Sequence, residues 1–429
     1  WVNARVLRKK GNRTSIRTWQ RSRPVAPARY QPGNQNNERG GVLVNKRLFA
    51  LAAACACGAA NAQSSVTLYG VVDVNVEYVN HVGAVPQAGN GYNPGPPQTV
   101  FRENSGGYSG SRWGLRGVED LGGGLKSIFV LENGFNADTG TLQQGGRMFG
   151  RQAFVGLDTR FGVFTFGRQY QSIFSTMANF VPARYATQYE PTGVVAGANF
   201  RQDNTVKYSG TFGPFTAQAD WSFGVGTTLP STYPKVPTAG GGGVVPGQFR
   251  RDSAYGVALS YQAGPVGLGI GYDQWNPTIG TGNGTFKKAV VMASYAFNDT
   301  AKLMGGYRWG QNKDPGGTTI LRDDFYWIGG QYRFSSALDF TLEYDYQNVK
   351  NLGGNNSVAN PWQIALIADY AFSKRTDVYL TTAYSRNAGL AMESAASGFA
   401  TSLALGNSYA LANGQKSMFG AALGIRHVF

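Results

Sequence analysis

The stretch Ser111-Arg-Trp-Gly-Leu-Arg-Gly-Val-Glu-Asp-Leu-Gly-Gly-Gly-Leu-Lys-Ser-Ile-Phe-Val-Leu-Glu132 reads as one complete hairpin, with two extended runs flanking a polar, glycine-rich turn at Glu119–Gly124. A strand turns successive side chains to opposite faces. In the first run Arg112, Gly114 and Arg116 therefore share one face, while Trp113 and Leu115 share the other. The second run sets Leu125, Phe129 and Leu131 against Lys126 and Glu132, with Ile128 and Val130 blurring the pattern. Repeated along the chain, this unit gives a ribbon with one apolar and one polar face that must close on itself.

Composition narrows the classes. The chain has 429 residues and a formal charge of +15, but 12 of its 39 basic side chains and one of its 24 acidic ones (Glu38) lie in residues 1–62. The remainder carries 27 basic and 23 acidic side chains, a net of +4, so a nucleic-acid partner is rejected for the body of the chain. Glycine is abundant, with 60 residues, and aromatics reach 13%. No apolar run after residue 62 approaches the roughly 18 residues a membrane helix needs. A membrane β-barrel stays open, because its signal per strand is weak.

The first 62 residues read as two parts. Residues 1–41 are basic and rich in Pro and Asn, without apolar periodicity, and no fold is expected there. The first methionine is Met148, so this part is read as a non-structural leader from an over-long gene assignment. Residues 42–62 contain Asn45-Lys46-Arg47, the apolar run Leu48–Ala60 and Ala60-Asn61-Ala62 before Gln63, the layout of a secretory signal peptide with its cleavage site. Cys55 and Cys57 both fall in that apolar run, so the mature chain, residues 63–429, has no cysteine for disulfides or thiolate metal sites.

From Gln63 onward sixteen strands are expected, beginning with Val66–Val79 and ending with Met418–Phe429. In the first, Leu68, Val72, Val74, Val76 and Tyr78 oppose Asp73, Asn75 and Glu77. In Leu338–Gln347, Leu338, Phe340, Leu342, Tyr344 and Tyr346 oppose Asp339, Thr341, Glu343, Asp345 and Gln347. Seven short connections alternate with eight long ones, which places tight turns and both termini at one end and loops at the other. Lipid offers no hydrogen bonds, so every strand edge must be paired, and only closure pairs them all. The expected fold is therefore all-β: a 16-stranded antiparallel transmembrane β-barrel, polar inside, too wide for side chains to fill. Tyr69, Tyr78, Tyr261, Trp275, Tyr295, Phe297, Trp309 and Phe372, at strand ends, are read as interfacial girdles.

The third long connection, about Gln171–Asn204, has no clear strands, and a loop of that size is uncommon unless functional. It is expected to fold into the lumen and narrow it. Its ends are marked by Arg168 and Arg201, and between them lie Arg184, Glu190, Phe174, Phe180, Tyr185 and Tyr189. Arg112, Arg116 and Arg151 on the facing wall would oppose it. A narrow, low-dielectric bore lined by fixed cations favours anions. Arg168 shares register with Phe164 and Phe166, so it reaches the lumen only if its strand bulges or ends there.

The stretch Ser111–Lys126 resembles the second and third strands of trimeric general-diffusion porins of Gram-negative outer membranes, especially the beta-proteobacterial type. Ser65-Val-Thr-Leu-Tyr-Gly70 is similar to their mature N-terminus, and Gly424-Ile-Arg-His-Val-Phe429 to their last strand with its terminal aromatic. The resemblance implies sixteen strands, a homotrimer, an inward third loop and a basic cluster carried over to Arg112, Arg168 and Arg201. It also implies outer-membrane lipid and lipopolysaccharide as surroundings, the barrel-assembly machinery as a partner through Phe429, and small ions and solutes as cargo. The enterobacterial branch has a Pro-Glu-Phe-Gly element in this loop. Here Glu190-Pro-Thr-Gly193 has a changed order, which favours anion preference.

Other readings are weaker. Any lumen arginine could simply pair with Asp73, Glu77 or Glu132. Gly267-x-Gly-x-Gly271 reads as close packing on the lumen face, and Gly240–Gly243 as a surface loop. His81 and His427 stand apart, without a partner for metal binding or catalysis, so neither a cofactor nor an enzyme is expected. A substrate-specific channel for sugars or organic anions is the alternative, with Phe325 and Trp327 as a hint of an aromatic track; a soluble lectin ranks behind it.

Overall fold

The computed structural model describes residues 64–392 and 408–429. The leader and the signal peptide lie outside the described residues. Sixteen antiparallel strands form the wall: β1 Ser65–Gly83, β2 Arg112–Gly122, β3 Leu125–Gly134, β4 Gln152–Thr159, β5 Gly162–Tyr170, β6 Arg201–Phe212, β7 Phe215–Ser222 and β8 Ala254–Ala263, then β9 Val266–Trp275, β10 Thr285–Ala296, β11 Ala301–Lys313, β12 Thr319–Arg333, β13 Leu338–Leu352, β14 Trp362–Ala371, β15 Thr376–Arg386 and β16 Ser417–Val428. Each pairs with its sequence neighbours, and β16 returns to β1, from Val71 opposite Val428 to Val79 opposite Gly420. The ribbon thus closes on its first edge, as the alternating faces require.

Strand limits differ from the expected ones where pairing extends past the apolar pattern. The strand expected from Phe325 begins at Thr319, and that expected from Thr205 begins at Arg201. The first long connection, expected to be loop, contains a further strand, Gln98–Ser105. It pairs with the upper half of β1, while β2 pairs with the lower half. At the quoted hairpin, strand pairing runs through Gly122, and the turn is made by glycines 122–124, all at positive φ, where a Cβ would be strained.

Alternation sorts the two faces. Val66, Leu68, Val72, Val76 and Tyr78 are exposed outward, whereas Asp73, Asn75 and Glu77 are buried inward. Most expected girdle aromatics point out, among them Tyr78, Tyr295, Phe297 and Phe372. Two do not. Tyr69 shares parity with Asp73 and donates to Glu132 across the lumen face (3.1 Å), and Trp275 is buried, its indole N–H bonded to Asp252 (3.0 Å). The outward face is apolar, and the inward polar face receives the third long connection.

Candidate functional site: a cationic cavity behind the third long loop

The segment between β5 and β6 is drawn inward at its base. The Gln171 amide donates to Phe200 O (3.0 Å), and the Gln171 side chain donates to Ala196 O (2.7 Å). A short helix, α1 (Ser172–Met177), starts on the Asp220 carboxylate of β7, which accepts from the Ser172 amide at 2.7 Å. The negative group meets the free amides of a helix start. A second short helix, α2 (Thr192–Ala196), leads back to the wall.

The far edge of this loop is docked on the opposite wall. Trp327 Nε1 donates to Phe180 O (2.9 Å), Gln331 Nε2 to Pro182 O (2.6 Å) and the Ala183 amide to Glu343 Oε2 (3.0 Å). Tyr189 donates to Glu77 (2.9 Å), and the Gln188 amide to Gly107 O (2.9 Å). Ile173, Met177 and Phe180 are fully buried in a cluster with Met292, Phe325 and Trp327. Burial of each such side chain contributes about 1.5–3 kcal/mol. The wall makes room with glycine: a Cβ at Gly269 would run into Phe180, and one at Gly271 into Ile173. Gly269 and Gly271 of the Gly267–Gly271 pattern therefore seat the loop, whereas Gly267 faces Ser294 and Gln262 of the wall. Phe325 and Trp327 are covered by it and form no open aromatic track.

Between the loop and the β2–β4 wall lies a cavity of about 380 Å³. Arg112, Arg151, Arg184 and Arg201 line it, with Gln143 and Gln144, and Glu190 is its single lining carboxyl. Glu132 binds Arg151 (2.8 Å) and lies 3.8 Å from Arg112, so one acid serves two cations. Arg151 also donates to the Tyr170 hydroxyl (3.2 Å). Arg201 lies over the rings of Phe200 (4.5 Å to the centroid) and Tyr170 (5.2 Å), and its Nε is buried without a hydrogen-bond partner among the described residues. Burial, and next the neighbouring Glu343 charge, hold the Glu190 carboxyl well above its ordinary value. Four arginines against one lining carboxyl leave the cavity cationic. Arg184, Tyr185 and Tyr189 all have positive φ, a strained setting that concentrates at functional sites.

With this geometry in view, the comparison with known proteins is specific. The profile of the Gram-negative porin family matches residues 49–390. The chain belongs to that family. It is 30% identical to outer membrane porin protein 32 of Delftia acidovorans over 90% of this chain and 100% of the relative. It is 29% identical to an outer membrane porin protein of Bordetella pertussis over 77% of this chain and 91% of that one. The structure of the anion-selective porin from Comamonas acidovorans superposes with a TM-score of 0.65 at 25% identity, covering 86% of this chain and all of that one. A structure of Vibrio cholerae OmpT, at 14% identity and TM-score 0.57, shares the fold. The porin is an outer-membrane channel protein.

Within the porin, the expected site residues separate. Arg112, Arg151, Arg201 and Glu190 meet at the cavity. Arg116 does not line it. It lies on the same face nearer the tight-turn end, with its guanidinium over the Tyr69 ring (5.4 Å). Arg168 sits at a bulge between Gly167 and Gln169, as its parity demanded, yet it is spent on Asp203 (2.5 Å) and Gly150 O (2.7 Å). Asp203 is shared with Arg147 (2.9 Å). Arg184 was noted in the sequence only as a loop residue, because nothing in its spacing shows which way a loop tip turns.

Proposed function

We propose that the porin is a general-diffusion channel that passes small hydrophilic solutes and ions and prefers anions, with Arg112, Arg151, Arg184 and Arg201 as the charged side of its constriction. The observation that carries this reading is four arginines lining one cavity against a single, buried carboxyl. Fixed cations in a narrow bore raise the local anion concentration and repel cations. The likeness to the anion-selective Comamonas acidovorans structure supports the same sign. Arg116 extends the cationic face towards the periplasmic mouth, and Arg168 holds the loop base through Asp203.

The same reading extends to assembly. Residues 42–62 direct export and are removed, and residues 1–41 are no part of the working protein. Phe429 is the terminal aromatic read by the barrel-assembly machinery. The outward apolar side chains of β16 and β1, among them Leu423, Ile425, Val72 and Val76, face partner copies in a homotrimer, and the rest of the belt faces lipid and lipopolysaccharide.

The test is the reversal potential of the purified protein in a planar bilayer under a KCl gradient. Anion preference is expected. A potential of the opposite sign overturns the selectivity, and material that makes no pores overturns the channel.

A further inference from the structure

The wall facing the arginines is aromatic. Tyr170 stacks on Phe174 (4.7 Å between centroids, 19° between planes), Phe174 on Tyr185 (4.2 Å, 8°) and Phe174 on Phe200 (4.9 Å, 28°). All four rings line the cavity. A water-filled pore selecting only on charge has no use for them, since the faces of aromatic rings are electronegative and repel a small anion. They are instead suited to a solute with a flat apolar body and an anionic end.

We infer that this cavity recognises aromatic carboxylates, binding the carboxylate at Arg201 and Arg112 and the ring against the Tyr170–Phe174–Tyr185 stack. This deepens the anion-preferring reading and rests on it. The Nε of Arg201 is buried without a hydrogen-bond partner among the described residues, and the adjacent Nη2 reaches the Tyr170 hydroxyl only at 3.5 Å. Arg201 lines the cavity beside Arg112, and planar guanidiniums suit a carboxylate. Arg201 lies against the rings of Tyr170 and Phe200, at the border between cationic and aromatic walls. The volume, about 380 Å³, falls in the range of small-molecule pockets. An aliphatic dicarboxylate would use two guanidiniums and leave the rings idle, so the aromatic wall favours one carboxylate and one ring.

The experiment uses the full-length mature porin in planar bilayers and measures block of the KCl current by benzoate, cyclohexanecarboxylate and succinate. Benzoate is expected to block at a concentration about threefold or more below that of cyclohexanecarboxylate, a factor in keeping with one added ring–ring contact. Tyr185→Leu is expected to abolish that difference while chloride remains preferred over potassium. Equal block by the three anions, or strongest block by succinate, overturns the inference and leaves anion preference standing. Loss of chloride preference in the unaltered protein overturns the reading beneath it. If Tyr185→Leu unseats the loop, the comparison of anions on the unaltered protein still decides the matter.

Discussion

Gly70 and Phe429 exchange two backbone hydrogen bonds, Gly70 N to Phe429 O at 3.0 Å and Phe429 N to Gly70 O at 3.1 Å, and the Phe429 ring covers the glycine. A Cβ at position 70 would overlap that ring and lie 2.8 Å from the Arg112 carbonyl oxygen. The last residue of the chain is thus fitted to a gap near the start of the first strand. Gly70→Val is expected to lower the yield of closed barrel severalfold, read as loss of the compact, heat-modifiable band in refolding assays. Normal yield would show that the seam closes without this fit.

Trp327 ties the inward loop to β12 through Phe180 and is 3% exposed. Replacing a buried Trp by Ala typically costs about 3–5 kcal/mol. Here the loss falls on the seat of the loop rather than on the wall, which keeps its ladder of backbone bonds. Trp327→Ala should raise single-channel conductance and current noise while leaving the barrel folded. Unchanged conductance in a folded variant would show that the seat does not depend on this contact.

Arg201 and Arg168 flank the same loop but do different things. Arg201→Gln removes charge from the cavity and should lower anion preference without loss of fold. Arg168→Gln leaves Asp203 with Arg147 alone and loosens the loop base, so it should alter open-channel noise more than reversal potential. The two variants measured side by side in a KCl gradient separate the roles. Equal shifts in reversal potential would place Arg168 in the ion path as well.

Glu190 gives a pH prediction of definite sign. Its carboxyl is raised above the ordinary value by burial first and by Glu343 second. A raised carboxyl stabilises the folded loop fully below the ordinary carboxylate value, and this contribution fades as pH rises through the raised one. Glu190→Gln should therefore remove loop loosening seen as pH rises, with at most a small change in reversal potential at neutral pH. A marked gain in anion preference at neutral pH would mean that Glu190 is charged in the native channel.

Much of the wall was legible residue by residue. Val72 and Val76 against Asp73 and Glu77 state the two faces of β1 without reference to any other strand, and the alternation of short and long connections states the connectivity. Tyr69 and Trp275 show the limit of that reading. Both sit near strand ends, where aromatic residues suit an interface, but parity and a polar partner turn them inward. The glycines at 267, 269 and 271 were legible as a packing surface, though not which side chains they receive.

What the chain determined by itself is closure, because alternation is a local property and an unpaired edge in lipid has no alternative to pairing. Which arginines share a cavity was decided only by the tertiary structure. The loop is held by pairs such as Phe180 with Trp327, 147 residues apart, and by a bulge that turns Arg168 towards Asp203. No period in the sequence records such contacts, since each depends on where two distant backbones come to rest across the bore.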